Sequence, residues 1–211
     1  MIPVKDILLS PKNFFESFCK QEDSLKAPIV IILILAVIAS LTAVISASIT
    51  GAFLPPEAEF MKPVISVITF AVTIIMTFIL WVIFAAIFHG ISALFKGTGS
   101  FNKTLAITSY GYIPQIISGL ITSVLTYMHI SSITVVPTTN PEQIQAYVEM
   151  ISSGPMITAI SVISIVFLLW SANIWLFGIK ECRKISMRDA AITVGVPVIL
   201  YILFILGTLL M

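Results

Sequence analysis

Residues 63–88 read PVISVITFAVTIIMTFILWVIFAAIF, and no Asp, Glu, Lys or Arg interrupts them. A helix of that length, rising 1.5 Å per residue, outreaches a hydrocarbon core of roughly 30 Å. Four more runs share this character: Pro28–Thr50, Leu105–Met128, Pro155–Gly178 and Ala190–Leu210. Only helices or closed barrels satisfy their backbone groups in lipid, and none of these runs alternates in polarity as a barrel strand does. The expected fold is an all-α integral membrane protein, a bundle of five transmembrane helices. Short amphipathic helices are expected in the amino-terminal tail and the third loop.

Composition agrees. Charged residues make up 10% of the 211, against about 25% in a soluble domain. We expect a single membrane domain over 1–211, with a tail at 1–27 and the bundle at 28–210. That leaves no room for a soluble catalytic module. The net charge of +1 says little, but its distribution says more. Ten of the eleven Lys and Arg fall in the tail, the second loop and the fourth loop, and Lys62 alone falls on the other side. Short cytoplasmic loops collect Lys and Arg. The amino terminus is therefore expected in the cytoplasm and the carboxyl terminus outside. The first run is too long for a cleavable signal core and reads as an uncleaved anchor. Cys19 and Cys182 both fall on the cytoplasmic side, where free thiols are expected and a disulfide is not. Whether either is lipidated stays open.

Local signals mark the edges of the helices. Ser10 and Pro11 suit the start of a tail helix that puts Phe14, Phe15 and Phe18 on one face. That face can lie in the membrane surface or pack against the bundle. Pro55 and Pro56 stiffen the first external loop. Asn140 and Pro141 open a loop helix, with Gln143 as capping-box partner and an apolar stripe of Ile144, Tyr147, Val148 and Ile151. Pro114 and Pro197 should kink their spans. Ala39, Ala43, Ala47 and Gly51 recur every four residues, a candidate packing face for another span or another copy.

Candidate functional groups are few. Gln115 and Asn173 lie within spans, and His89 ends the second. Polar groups at such depths serve sites or interhelical hydrogen bonds. With no carboxylate or cation inside a span, proton pumping and ion exchange are disfavoured. His89 and His129 lie on opposite sides, so no metal or histidine cluster is expected, and no cofactor. Gly97-Thr98-Gly99-Ser100 lacks the Lys-Ser/Thr of a nucleotide loop and reads as a turn, with Ser100 as a cap.

One stretch goes further: His89-Gly90-Ile91-Ser92-Ala93-Leu94-Phe95-Lys96-Gly97-Thr98-Gly99-Ser100-Phe101, then Thr104, Tyr110 and Pro114. It resembles the core of the Yip (Ypt-interacting protein) domain family, as does the tail with Leu9-Ser10-Pro11 and Phe14-Phe15. The resemblance implies a five-span membrane domain of the compact prokaryotic type. It also makes His89, Gly97, Gly99, Ser100, Phe101, Tyr110 and Pro114 candidate functional residues, beside Gln115 and Asn173. Eukaryotic members are associated with small GTPases, but the aspartate-rich and Tyr-Gly-Pro sequences of those members are absent, so GTPase binding is not supported.

The leading expectation is a non-enzymatic multi-pass membrane scaffold, in the plasma membrane if the cell is prokaryotic. It would be surrounded by membrane lipids and would self-associate or bind a membrane-protein partner, with no nucleic acid. The alternative is a transporter or lipid-handling protein for a neutral or lipid-like substrate, with its cavity near Tyr110, Pro114 and Asn173.

Overall fold

The computed structural model describes residues 3–52, 54, 56–134, 138 and 140–210. They form helices and no strands. Two short helices come first, α1 (Val4–Leu9) and α2 (Pro11–Phe18). Then follow α3 (Lys26–Ala52), α4 (Met61–Leu94), α5 (Phe101–Gly111), α6 (Ile113–Ser131), α7 (Pro141–Ser152), α8 (Pro155–Arg183) and α9 (Met187–Leu210). Five units are long and apolar enough to cross a membrane: α3, α4, α5 with α6, α8 and α9. Pro56 falls in a short 3-10 turn, and Pro55 lies outside the described residues.

The third span is two helices, not one kinked helix. Pro114 has no N–H to offer the Tyr110 carbonyl four residues back. The backbone tightens before it, with Tyr112 N–H donating to the Ser109 carbonyl at 3.0 Å. That leaves the Thr108 carbonyl without its helical partner, and the Trp175 indole N–H donates to it at 2.9 Å. The indole comes so close that a Cβ on Gly111 would overlap it. Pro197, by contrast, sits inside an unbroken α9.

The break divides the molecule. Every residue from Lys103 to Gly111 is buried. They are enclosed by the carboxyl-terminal parts of α4 and α8, by the tail helices and by α3. We call this the basal end. Beyond the break, α6 buries only Ile113, Pro114 and Ser118. There the outer faces are apolar and exposed, as at Val67, Ile75, Val124, Val166 and Leu203. Such continuous apolar exposure belongs in lipid.

The tail resolves the choice left open by the sequence. Phe15 and Phe18 are buried in the bundle, and α1 joins them through Ile7. Pro11 occupies the first turn of α2, while the Ser10 side chain makes no capping hydrogen bond. Asn140 caps α7, accepting from the Glu142 N–H at 3.0 Å. Gln143 does not complete the box: its side chain accepts from the Thr138 hydroxyl, which also receives the Asn140 N–H. Ile144, Tyr147 and Ile151 are half-buried, Val148 is exposed, and α7 buries no residue fully.

Candidate functional site

The basal end is held by polar groups whose partners are far away in sequence. After α4, the chain turns through Lys96 in a left-handed conformation (φ 59°) and Gly99 at φ 98°. Glycine is required at two points of this loop. A Cβ on Gly97 would come 2.7 Å from the Ser92 carbonyl oxygen, and Gly99 needs a backbone region that side chains disfavour. The loop wraps around a single guanidinium. Arg183, 2% exposed at the end of α8, donates from Nε to Ser92 Oγ at 2.9 Å. It also donates to the carbonyls of Gly99 at 2.7 Å and Gly97 at 3.1 Å. In return, Thr98 N–H donates to the Arg183 carbonyl at 2.9 Å. A buried cation without a carboxylate is thus satisfied by two carbonyls and a hydroxyl, whose dipoles replace water.

A second cation fastens the tail. Lys103, 7% exposed, donates to the Gln21 carbonyl at 2.7 Å and pairs with Asp23 Oδ1 at 3.1 Å. Its ammonium lies 4.6 Å from the centre of the Phe18 ring. Ser100 caps α5, accepting from the Lys103 N–H at 3.1 Å, and its hydroxyl donates to Asp23 Oδ2. The Ser100 hydroxyl, then Lys103, hold the Asp23 carboxyl below its usual range. Behind these groups Phe14, Phe15 and Phe18 surround Tyr110, with ring centres 5.2, 6.5 and 5.2 Å away. Phe15 also lies against Gly178, where a Cβ would overlap the Ile107 side chain.

The expectation for the thiols is overturned: Cys19 and Cys182 form a disulfide, with Cα atoms 5.1 Å apart. Among the described residues there is no free cysteine to lipidate. The physical reason is that α2 folds back onto α8, bringing together residues 163 positions apart within bridging distance. Sequence spacing carries no trace of that contact.

Most of the expected site residues gather here. His89 Nδ1 is 3.0 Å from Thr104 Oγ1, and its ring meets Phe101 edge-on at 5.4 Å. Gly97, Gly99, Ser100, Phe101 and Tyr110 all belong to the same knot. Pro114 and Gln115 lie just past the break, and Gln115 Nε2 reaches Ser171 Oγ at 3.4 Å. Asn173 is not drawn in: it is exposed on α8, and its side chain makes no hydrogen bond. The small-residue series divides. Gly51 sits beside the Lys62 side chain at the start of α4, whereas Ala39 and Ala43 line a groove against α6, and Ala47 is half-buried.

Sequence reasoning did not find Arg183, Lys103, Asp23 or Trp175. The two cations carried a topology signal that concealed their structural one. Nothing in the sequence near the break at Pro114 pointed to Trp175, which lies on another span.

A family model for the Yip1 domain matches residues 5–209, the tail included. The chain belongs to the Yip1 domain family. An uncharacterized protein of Methanocaldococcus jannaschii is 38% identical over 122 residues, which cover 58% of this chain and 86% of that protein. No solved structure matches. In this Yip1 domain the motif from His89 to Pro114 builds the basal knot. Its serine, histidine and glycine carbonyls are engaged in hydrogen bonds within the fold. Among the described residues, no three of His, Cys, Asp or Glu stand close enough to hold a metal ion.

Proposed function

We propose that this multi-pass Yip1-family protein is a non-enzymatic membrane scaffold, which self-associates or holds a membrane-protein partner at its basal end. The main support is that the motif residues are committed to architecture. Ser100 caps and ties the tail, Gly97 and Gly99 accept from Arg183, His89 meets Thr104, and Tyr110 receives the tail aromatics. A nucleophile or general base needs a proton acceptor or donor left free for substrate, and the Ser100 hydroxyl and His89 Nδ1 are already engaged within the fold.

What the knot presents outward is a platform. Leu94 is 81% exposed beside exposed Lys96, and Lys184 and Arg188 flank the start of α9. An exposed leucine among cations suits a partner surface with an apolar centre and acidic rim. The Lys and Arg distribution supports a cytoplasmic face for this platform, and in a prokaryotic cell the membrane in this reading is the plasma membrane. No small GTPase or nucleic acid is part of this reading.

The test is extraction of the tagged full-length chain into native-lipid nanodiscs, with native mass spectrometry and identification of co-purifying proteins. A defined multimer, or one enriched membrane protein lost on Leu94→Glu, is the expected result. A monomer with no enriched protein contradicts the reading.

A further inference from the structure

Among the described residues every fully enclosed side-chain nitrogen or oxygen has a hydrogen-bond partner, and of the buried serines and threonines only one has a hydroxyl that is left open instead. Ser118 is 3% exposed, and its hydroxyl makes no hydrogen bond. A serine inside a helix usually donates to the carbonyl four residues back, here that of Pro114. This one instead lines a groove of about 420 Å³ between α3 and α6, with Ser164 of α8 also in the lining. Gln115 shares that lining. Its amide nitrogen reaches Ser171, and its carbonyl oxygen has no partner. An unmatched hydroxyl and amide oxygen are costly away from water, about 1–3 kcal/mol each.

The chemistry of the lining limits the occupant. Ala39 and Ala43 leave room in the groove, Gly119 lets Ile38 pack closely against α6, and Thr42 is already bonded to Ser123. No ionisable side chain lines it, so a phosphate or carboxylate seated there would go unpaired. Ser118 lies about 9 Å along α6 from the Tyr112 break, on the apolar side, so the occupant comes from the bilayer. The small part of Ser118 that stays exposed includes its hydroxyl oxygen, an opening that suits a single narrow polar group. The groove falls in the lower part of the size range of ligand pockets, roughly 300–1,000 Å³. It has room for a small head and the first stretch of a chain.

We propose that this groove is a lateral binding site for an uncharged lipid-like molecule bearing a hydroxyl or ester oxygen. Ser118 and Gln115 supply the hydrogen bonds, and Leu35, Ile38 and Ala39 line the path of the chain. The site is separate from the basal platform and does not depend on the scaffold reading.

The experiment uses the full-length chain in phosphatidylcholine nanodiscs with two photoactivatable probes of identical chains, a diacylglycerol and a phosphatidic acid. Cross-linked peptides are then mapped by mass spectrometry. Diacylglycerol should label residues 35–46 and 115–122 at least several-fold above phosphatidic acid. Ser118→Ala and, separately, Gln115→Leu should cut that labelling by roughly threefold to tenfold, the loss of one net hydrogen bond. Labelling outside the groove should stay unchanged. Equal labelling by both probes means annular lipid only and overturns the proposal, as does groove labelling indifferent to both substitutions. The probe comparison on the unmodified chain decides even where a variant fails to fold. A disulfide forming between copies of an Ala43→Cys variant would put a second chain in the groove and equally overturn it.

Discussion

The two ends of this bundle satisfy the same physical demand in opposite ways. In the apolar half most hydroxyls bond within their own helix, as Thr73 does to the Thr69 carbonyl, Thr77 to Thr73 and Ser164 to Ile160, and the few side-chain bonds between helices, such as Thr42 to Ser123, join neighbouring spans. Side chains there face outward, because lipid provides the apolar surroundings that a core otherwise would. At the basal end polar groups reach across the fold instead: Arg183 to the α4–α5 loop, Lys103 to the tail, Trp175 to α5, Trp81 to the Leu105 carbonyl and Trp170 to the Leu8 carbonyl. Where the bilayer stops supplying an apolar environment, the chain builds a core, and it recruits its own tail to do so. The lesson is that an apolar run identifies a span, but not where that span leaves lipid and enters protein.

Breaking the largest basal connection should show the contrast most clearly. Arg183→Met deletes three hydrogen bonds and leaves the Gly97 and Gly99 carbonyls unsatisfied, for a loss of about 3 kcal/mol or more. The apolar-half control Val166→Ala, on an exposed face, should change stability by less than about 0.5 kcal/mol. Denaturant unfolding in detergent compares them, and equal losses would erase the distinction between the two ends. Next in size is the disulfide. Cys19→Ser should cost about 2–4 kcal/mol, and the unmodified protein should resist alkylation by N-ethylmaleimide until reduced. Alkylation of both thiols without reductant contradicts the bridge.

The smallest effect sharpens the role of Asp23. Its folded carboxyl is held below the usual range, while the unfolded chain has a value of about 4. The contribution of Asp23 is therefore present above that value and is lost as pH falls through the folded one. The melting temperature of Asp23→Asn should lie slightly below that of the unmodified protein at pH 7 and converge with it in acid, once the pH has fallen through the lowered folded value. A gap that persists in acid would mean that charge is not what Asp23 contributes.

Much of the fold was legible in the sequence, because a run without charges fixes a helix by itself. The five spans, the caps at Ser100 and Asn140 and the disruption at Pro114 all depend on near neighbours. Pro114 read as a kink and proved a full break, since the Trp175 indole that stabilises the opened carbonyl lies 67 positions away. Arg183 and Lys103 read only as charges in loops, since sequence gives the charge and not what faces it. Gln115 stood out as a polar residue in a span, but Ser118 did not. A helical serine ordinarily satisfies itself, and only the structure shows that this one does not.

The docked tail is the central claim, and hydrogen exchange in nanodiscs tests it most directly. Residues 4–18 and 103–111 should exchange slowly together, well below the rate of residues 141–152 in the exposed α7. Phe15→Ala should speed both protected segments in parallel, because each buries the other. A tail that exchanges as fast as α7, or one whose protection ignores Phe15→Ala and so comes from the bilayer surface, would contradict the account.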